Sequence, residues 1–182
     1  MLNPDFTVFP EISTQRLWLR KLINTDAPEI LKLRSDEQVM QFIDKERAKT
    51  IEDAELFINR SNLALSANDG INWAIALKEH PETLVGSIGL WRIIKEHHRA
   101  EIGYMLNPAY WQNGIMKEAL LKVIEFGFKD LQLHSIEAHI NPENTASAAL
   151  LTSTGFVKEA HFKENFYFNG SFRDTAIYSL LQ

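Results

Sequence analysis

A chain of 182 residues, 45% apolar and 24% charged, has the length and apolar content for one domain with a substantial core. A net charge of −5 excludes a global basic field that would attract nucleic acid or an anionic membrane. Zero cysteines exclude disulfides, thiolate metal sites and a cysteine nucleophile together. No basic segment with an apolar core opens the chain, and no apolar run reaches the roughly 20 residues that cross a bilayer, so a cytoplasmic location is expected. Residues 1–13 read as a lead-in and 14–182 as one domain. Gln15 to Leu22 alternates, with Leu17 and Leu19 against Arg16, Trp18 and Arg20, and predicts a first strand. Asn24-Thr25-Asp26 ahead of Pro28 signals a helix start, with Ile30, Leu31 and Leu33 as its apolar face. Thr50-Ile51-Glu52-Asp53 has the form of a capping box opening a second helix with Leu56, Phe57 and Leu63. Ile71, Trp73, Ile75 and Leu77 alternate as a strand, and a turn at His80-Pro81-Glu82 leads to another over Leu84 to Ile94. Arg99 to Leu106 is the next strand, and a helix follows with Ala119, Leu120, Val123, Ile124 and Phe128 on one side. His134 to Ile140 is a strand, Asn144 caps a short helix ending at Gly155, and Asn169-Gly170 turns a hairpin between Phe156–Phe168 and Phe172–Leu181.

This order, β-α-α-β-β-β-α-β-α-β-β, implies a mixed sheet with helices on both faces. The unit from Arg99 to Ile140 should be a right-handed parallel crossover. Ligands of such sheets bind at the carboxyl ends of strands near a change in topology, here the end of the Glu101–Leu106 strand. That end carries the most informative stretch, Tyr110-Trp111-Gln112-Asn113-Gly114-Ile115-Met116-Lys117-Glu118-Ala119-Leu120. A strand, a tight turn containing Gly114 and a helix start aim several unpaired backbone N–H groups one way. With the positive end of the helix dipole, they suit a phosphate.

Other pieces accompany it in a fixed order. Glu101-Ile102-Gly103-Tyr104 lies just upstream. Asn141-Pro142-Glu143-Asn144-Thr145-Ala146-Ser147, then Leu150-Leu151 and Thr154-Gly155-Phe156, follow about thirty residues later, and Asn169-Gly170-Ser171-Phe172-Arg173-Asp174 closes the chain. Together these motifs resemble the GNAT superfamily of acetyl-CoA-dependent N-acetyltransferases, and within it the branch of ribosomal-protein N-terminal acetyltransferases, from about Thr14 to the C-terminus. The resemblance implies an α/β domain with a central, mostly antiparallel mixed sheet of about seven strands.

It also implies acetyl-CoA as cosubstrate, with no metal, and assigns the site. Gln112, Asn113, Gly114, Ile115, Met116 and Lys117 would line the pyrophosphate, mainly through backbone N–H groups. The usual small residue at the end of that motif is Met116 here, and Gln112 replaces a common glycine. Two neighbouring strands would splay so that the pantetheine arm pairs with the backbone of Tyr104, Met105 and Leu106. Asn144 would contact the arm's other side, besides capping its helix.

Acetyl transfer to an amine requires deprotonation of the nucleophile, stabilisation of an oxyanion and acceptance of a departing thiolate. Glu101 is the candidate base, acting through a water, with Gly103 beside it leaving room for substrate. The alternative for Glu101 is a solvent-facing carboxylate paired with Arg99 or Lys95. Ser147 is the candidate donor to the thiolate, or a polar residue of a helix's first turn. A backbone N–H near Met105 would meet the oxyanion. Tyr167 is expected to shape the amine pocket, and Asp174 to hold Arg173 or a backbone group. His97-His98 lacks further ligands at metal-binding spacing. The acceptor implied first is a protein N-terminal amine, then a polyamine or aminoglycoside. A non-catalytic CoA-binding sensor is the reading to which Met116 points. An edge strand near the terminal hairpin could pair two copies.

Overall fold

The computed structural model describes all residues from Met1 to Gln182. Its strands are β1 (Ile12–Ser13), β2 (Leu17–Lys21), β3 (Ile71–Leu77), β4 (His80–Ile94), β5 (Arg99–Leu106), β6 (Ser135–Ile140), β7 (Val157–Phe168) and β8 (Ser171–Leu181). The helices are α1 (Ala27–Ser35), α2 (Glu37–Met40), α3 (Ile51–Ser66), α4 (Ile115–Lys129) and α5 (Thr145–Ser153). The eight strands form one sheet in the order β1-β2-β3-β4-β5-β6-β8-β7. Every neighbouring pair is antiparallel except β5 and β6, which run parallel as the crossover requires.

Three consecutive residues of β3 show how the sheet divides the core. Trp73 and Ile75 point into a cluster with Ala119, Leu120 and Val123 of α4, whereas Ala74 between them points into a second cluster with Ile30 of α1 and Ile58 of α3. The alternating strand thus seats helices on both faces. The Thr50–Asp53 capping box is present at the start of α3.

Two elements were too short to read from periodicity. α2 spans four residues and is secured by the Asp36 carboxylate, which accepts the Val39 N–H at 3.0 Å. β1 is the eighth strand and pairs only Ile12 with Leu19 and Ser13 with Trp18. It lies in the expected lead-in, where Leu2 and Phe6 are also buried in the larger cluster.

The hairpin turn after β3 falls at Lys78-Glu79, not at His80-Pro81-Glu82. Leu77 pairs with His80 and Ala76 with Leu84, so Pro81, Glu82 and Thr83 form a bulge. A proline within a strand is tolerated in such a place because no ladder hydrogen bond is lost. The bulge has a second use. Its Pro81 and Glu82 carbonyls accept from the Arg20 guanidinium at 3.0 and 3.3 Å. Alternation had put Arg20 on the polar side of β2, yet it is only 6% exposed. It grips Asp26, itself 2% exposed, through two hydrogen bonds of 2.9 and 2.7 Å. A bidentate pair with further carbonyl acceptors is what makes such burial tolerable.

One feature of the sheet creates the site. β5 pairs with β6 only at Arg99–Ser135, Ala100–Ile136 and Glu101–Glu137. Beyond that point β5 stays with β4 as far as Leu106–Gly86, while β6 stays with β8 as far as Ile140–Ala176. A wedge opens between them at their carboxyl ends.

Candidate active site

The wedge is bordered on one side by the start of α4. The Asn107 side chain accepts the Ala109 N–H at 3.0 Å and starts a 3-10 turn over Pro108–Tyr110. The Trp111 indole N–H then donates to the Leu106 carbonyl at 2.8 Å, tying this turn back to β5. Gln112 and Gly114 both take left-handed backbone angles, φ +60° and +73°, before α4 begins at Ile115. The first amides of a helix have no intrahelical acceptor, and here they look out of the sheet's carboxyl end. Gln112, Asn113 and Lys117 are exposed around them. Ile115 and Met116 turn the other way and pack in the larger core cluster, Met116 being 8% exposed. The long Met116 side chain therefore leaves the space in front of the Gln112–Gly114 turn clear.

Across the wedge stands α5. The Asn144 Oδ1 accepts the Ser147 N–H at 3.0 Å and caps this helix. The Ser147 Oγ lies 2.7 Å from the Tyr104 hydroxyl of β5. Three residues selected from the sequence thus form one hydrogen-bonded chain bridging the opening. Burial pushes the Tyr104 hydroxyl up to about 12, against the opposing pull of its bond to Ser147. It therefore stays protonated and able to donate.

Glu101 and Tyr104 are three residues apart on β5 and so face opposite sides of the sheet. Tyr104 packs against the cluster containing α4, whereas Met105, on the Glu101 side, belongs to the cluster of α1 and α3. Glu101 is ion-paired, but with neither partner proposed from the sequence: its Oε2 accepts from Arg92 Nη1 at 2.8 Å, while Arg99 binds Glu137. Arg92 reaches it from an irregularity in β4 at which Arg92 itself has φ +50°. The space above Gly103 is filled by protein, not left for substrate. A Cβ there would collide with Cζ2 of Trp91, and one at Gly89 would sit 2.9 Å from Cζ3 of the same ring. The indole lies across two glycines of adjacent strands, next to Glu101. Trp91 and Arg92 were missed because their role depends on a cross-strand register that no local pattern announces.

Tyr167 stands apart from these groups. It is 61% exposed and packs edge-on against Phe172, ring centroids 5.0 Å apart. Asp174 accepts the Glu164 N–H at 2.9 Å and lies 2.7 Å from His161, so its partners are a backbone group and a histidine. Arg173 reaches instead to Asp44, 3.4 Å away, at the wall of a cavity of about 390 Å³. That cavity lies between residues 37–49 and the tip of the β7–β8 hairpin. No set of three or more His, Asp or Glu side chains gathers to hold a metal.

A mixed sheet parted between two parallel strands, with free helix amides at the mouth, is the architecture of an acyl-CoA-dependent transferase. The chain belongs to the GNAT family: the acetyltransferase (GNAT) domain model matches residues 16–157. It is an N-acetyltransferase and uses acetyl-CoA. It is 35% identical to the uncharacterised N-acetyltransferase YoaA of Bacillus subtilis, over 96% of this chain and 98% of that one. It is 31% identical to an Escherichia coli alanine N-acetyltransferase of ribosomal protein uS5, over 46% of this chain and 43% of that one. Among solved structures, spermidine N-acetyltransferase of Vibrio cholerae, in complex with CoA and spermine, superposes with a TM-score of 0.81. The two are 25% identical, with 93% of this chain and 97% of that chain covered.

Proposed function

We propose that the chain acetylates a protein N-terminal amine by direct attack on acetyl-CoA in a ternary complex. Bound acetyl-CoA supplies the acetyl group as an activated thioester. In this reading the amides of Gln112, Asn113, Gly114, Ile115, Met116 and Lys117 hold the pyrophosphate, and Tyr104, Met105, Leu106 and Asn144 line the pantetheine arm. The Leu106 carbonyl already accepts from Trp111, and its second lone pair is left for the arm. Ser147, backed by Tyr104, donates to the departing thiolate. A backbone N–H near Met105, on the edge of β5 that faces the wedge, meets the oxyanion. Glu101 takes the proton from the amine through a water, once Arg92 yields its hold. Phe168 and Arg173 border the acceptor from the terminal hairpin, whereas Tyr167, paired with Phe172 on the hairpin's other face, does not line the cavity there.

The observation that carries the choice of acceptor is the charge of the cavity beside that hairpin. Three carboxylates, Glu37, Asp44 and Glu46, share its wall with four cations, Lys45, Arg47, Lys49 and Arg173. A polyamine site would need an excess of carboxylates, whereas this wall has one cation in excess and suits a peptide whose own carboxylates and carbonyls accompany its single amine. An N-terminal amine, with a pKa of about 7.7–8.0 against about 10.4 for lysine, also needs little help from a base at neutral pH. A polyamine remains the second reading, favoured by the full-length similarity to the spermidine enzyme. The burial of Met116 removes the feature that pointed to a sensor without turnover.

Thiol release from acetyl-CoA, followed with short peptides beginning in alanine or serine and with spermidine and spermine, tests the proposal. Peptides should exceed polyamines in kcat/KM by at least about tenfold, the ratio set by roughly one lost charge contact. Faster turnover of the polyamines would overturn the assignment.

A further inference from the structure

The phosphate loop is held from behind by a side chain at the other end of the sequence. Arg16, just before β2, donates from Nη1 to the Asn113 carbonyl at 2.9 Å. Its Nε binds Oε2 of Glu118, in the first turn of α4, at 2.7 Å. Oε1 of the same carboxylate accepts the Arg16 N–H at 3.0 Å and the Thr14 hydroxyl at 2.5 Å. One guanidinium therefore clamps the carbonyl between the loop's two left-handed residues, Gln112 and Gly114, and simultaneously the helix that follows.

We infer that Arg16 is a positioning residue for the pyrophosphate loop. An amide's C=O and N–H point opposite ways, so drawing the Asn113 carbonyl toward Arg16 aims the Gly114 N–H away from it, toward the mouth of the wedge. Glu118 keeps the guanidinium from following the phosphates, which would otherwise attract it and unwind the turn. Lysine could supply the charge but not the fork, because Nε and Nη1 engage two partners at once. The inference rests on the proposed use of this loop for CoA.

Calorimetry with CoA on the wild type, Arg16→Met, Arg16→Lys, Glu118→Gln and the Arg16→Met/Glu118→Gln pair tests it, with phosphorus NMR of bound CoA alongside. Loss of one charge-assisted brace should weaken CoA binding by about tenfold in Arg16→Met. Arg16→Lys should recover only part of that, and the double variant should resemble the single ones, because the residues act as a unit. The pyrophosphate resonances should shift in Arg16→Met and the ribose phosphate resonance should not, a signature that a fold-stabilising role alone would not produce. Wild-type affinity in folded Arg16→Met, or full recovery in Arg16→Lys, would overturn the positioning role alone. A wild type that does not take up CoA would remove the loop's assignment itself, and this inference with it.

Discussion

Replacing Tyr104 by phenylalanine removes one oxygen and nothing else from the bridge across the wedge. The ring keeps its packing against the larger cluster, so no cavity opens. What is lost is the 2.7 Å bond to Ser147, whose residue is only 8% exposed. A buried hydroxyl deprived of its partner costs about 1–3 kcal/mol. If that cost falls on the transition state, where Ser147 must donate to a developing thiolate, kcat drops by about tenfold to a hundredfold. Ser147→Ala should lose a comparable amount. The double variant should lose little more than either, because the two hydroxyls act in series. The assay is initial-rate thiol release at saturating acetyl-CoA, with melting temperatures measured in parallel. A Tyr104→Phe enzyme that melts lower but turns over within about twofold of wild type would refute the relay and leave the pair a structural bridge.

Gly103→Ala should destabilise by about 1–3 kcal/mol, or roughly 2–9 °C in melting temperature, because its Cβ meets the Trp91 ring. The same change in a Trp91→Val background should cost almost nothing, and additive losses in denaturant unfolding would show that the ring yields freely. Asp26→Ala strands the Arg20 charge in the core and should cost about 3–5 kcal/mol by urea unfolding, far more than an exposed ion pair. Despite the opposing effect of desolvation, hydrogen bonds from Thr14 and Arg16 hold the Glu118 carboxyl below its ordinary value of 4.5. A lowered folded value means that this contribution is full above the ordinary value and is lost as pH falls through the folded one. Stability should thus decline in acid below about pH 4.5, and Glu118→Gln should flatten that decline in melting curves taken across pH.

The parts of the fold legible in the sequence were those dictated by local chemistry. The bounds of β3 follow from its alternation, the start of α3 from the Thr50–Asp53 box, and the start of α5 from Asn144. The bond between Tyr104 and Ser147, 43 residues apart, was not written locally, although both residues were singled out separately. Arg20 looked like a solvent-facing strand residue because its partner Asp26 looked like a helix-start signal. It is both: Asp26 also accepts the Ile23 N–H at 3.0 Å. The missed contacts at the site, Arg92 on Glu101 and Trp91 on Gly103, depend on strand register and on an irregularity after Trp91. Arg16 was set aside as the polar half of an alternating pattern, since its partner Glu118 lies 102 residues away.

The opening between β5 and β6 has Tyr104 on one surface of the sheet and Glu101 on the other, so the proposed roles of these residues would give the two halves of the reaction separate doors. On the proposed placement, neither product obstructs the other's exit, so departure need not follow a compulsory sequence. A conjugate made by joining CoA to a peptide amine would have to be threaded through the gap from the strands' free ends, and its association should be slow even where its eventual grip is tight.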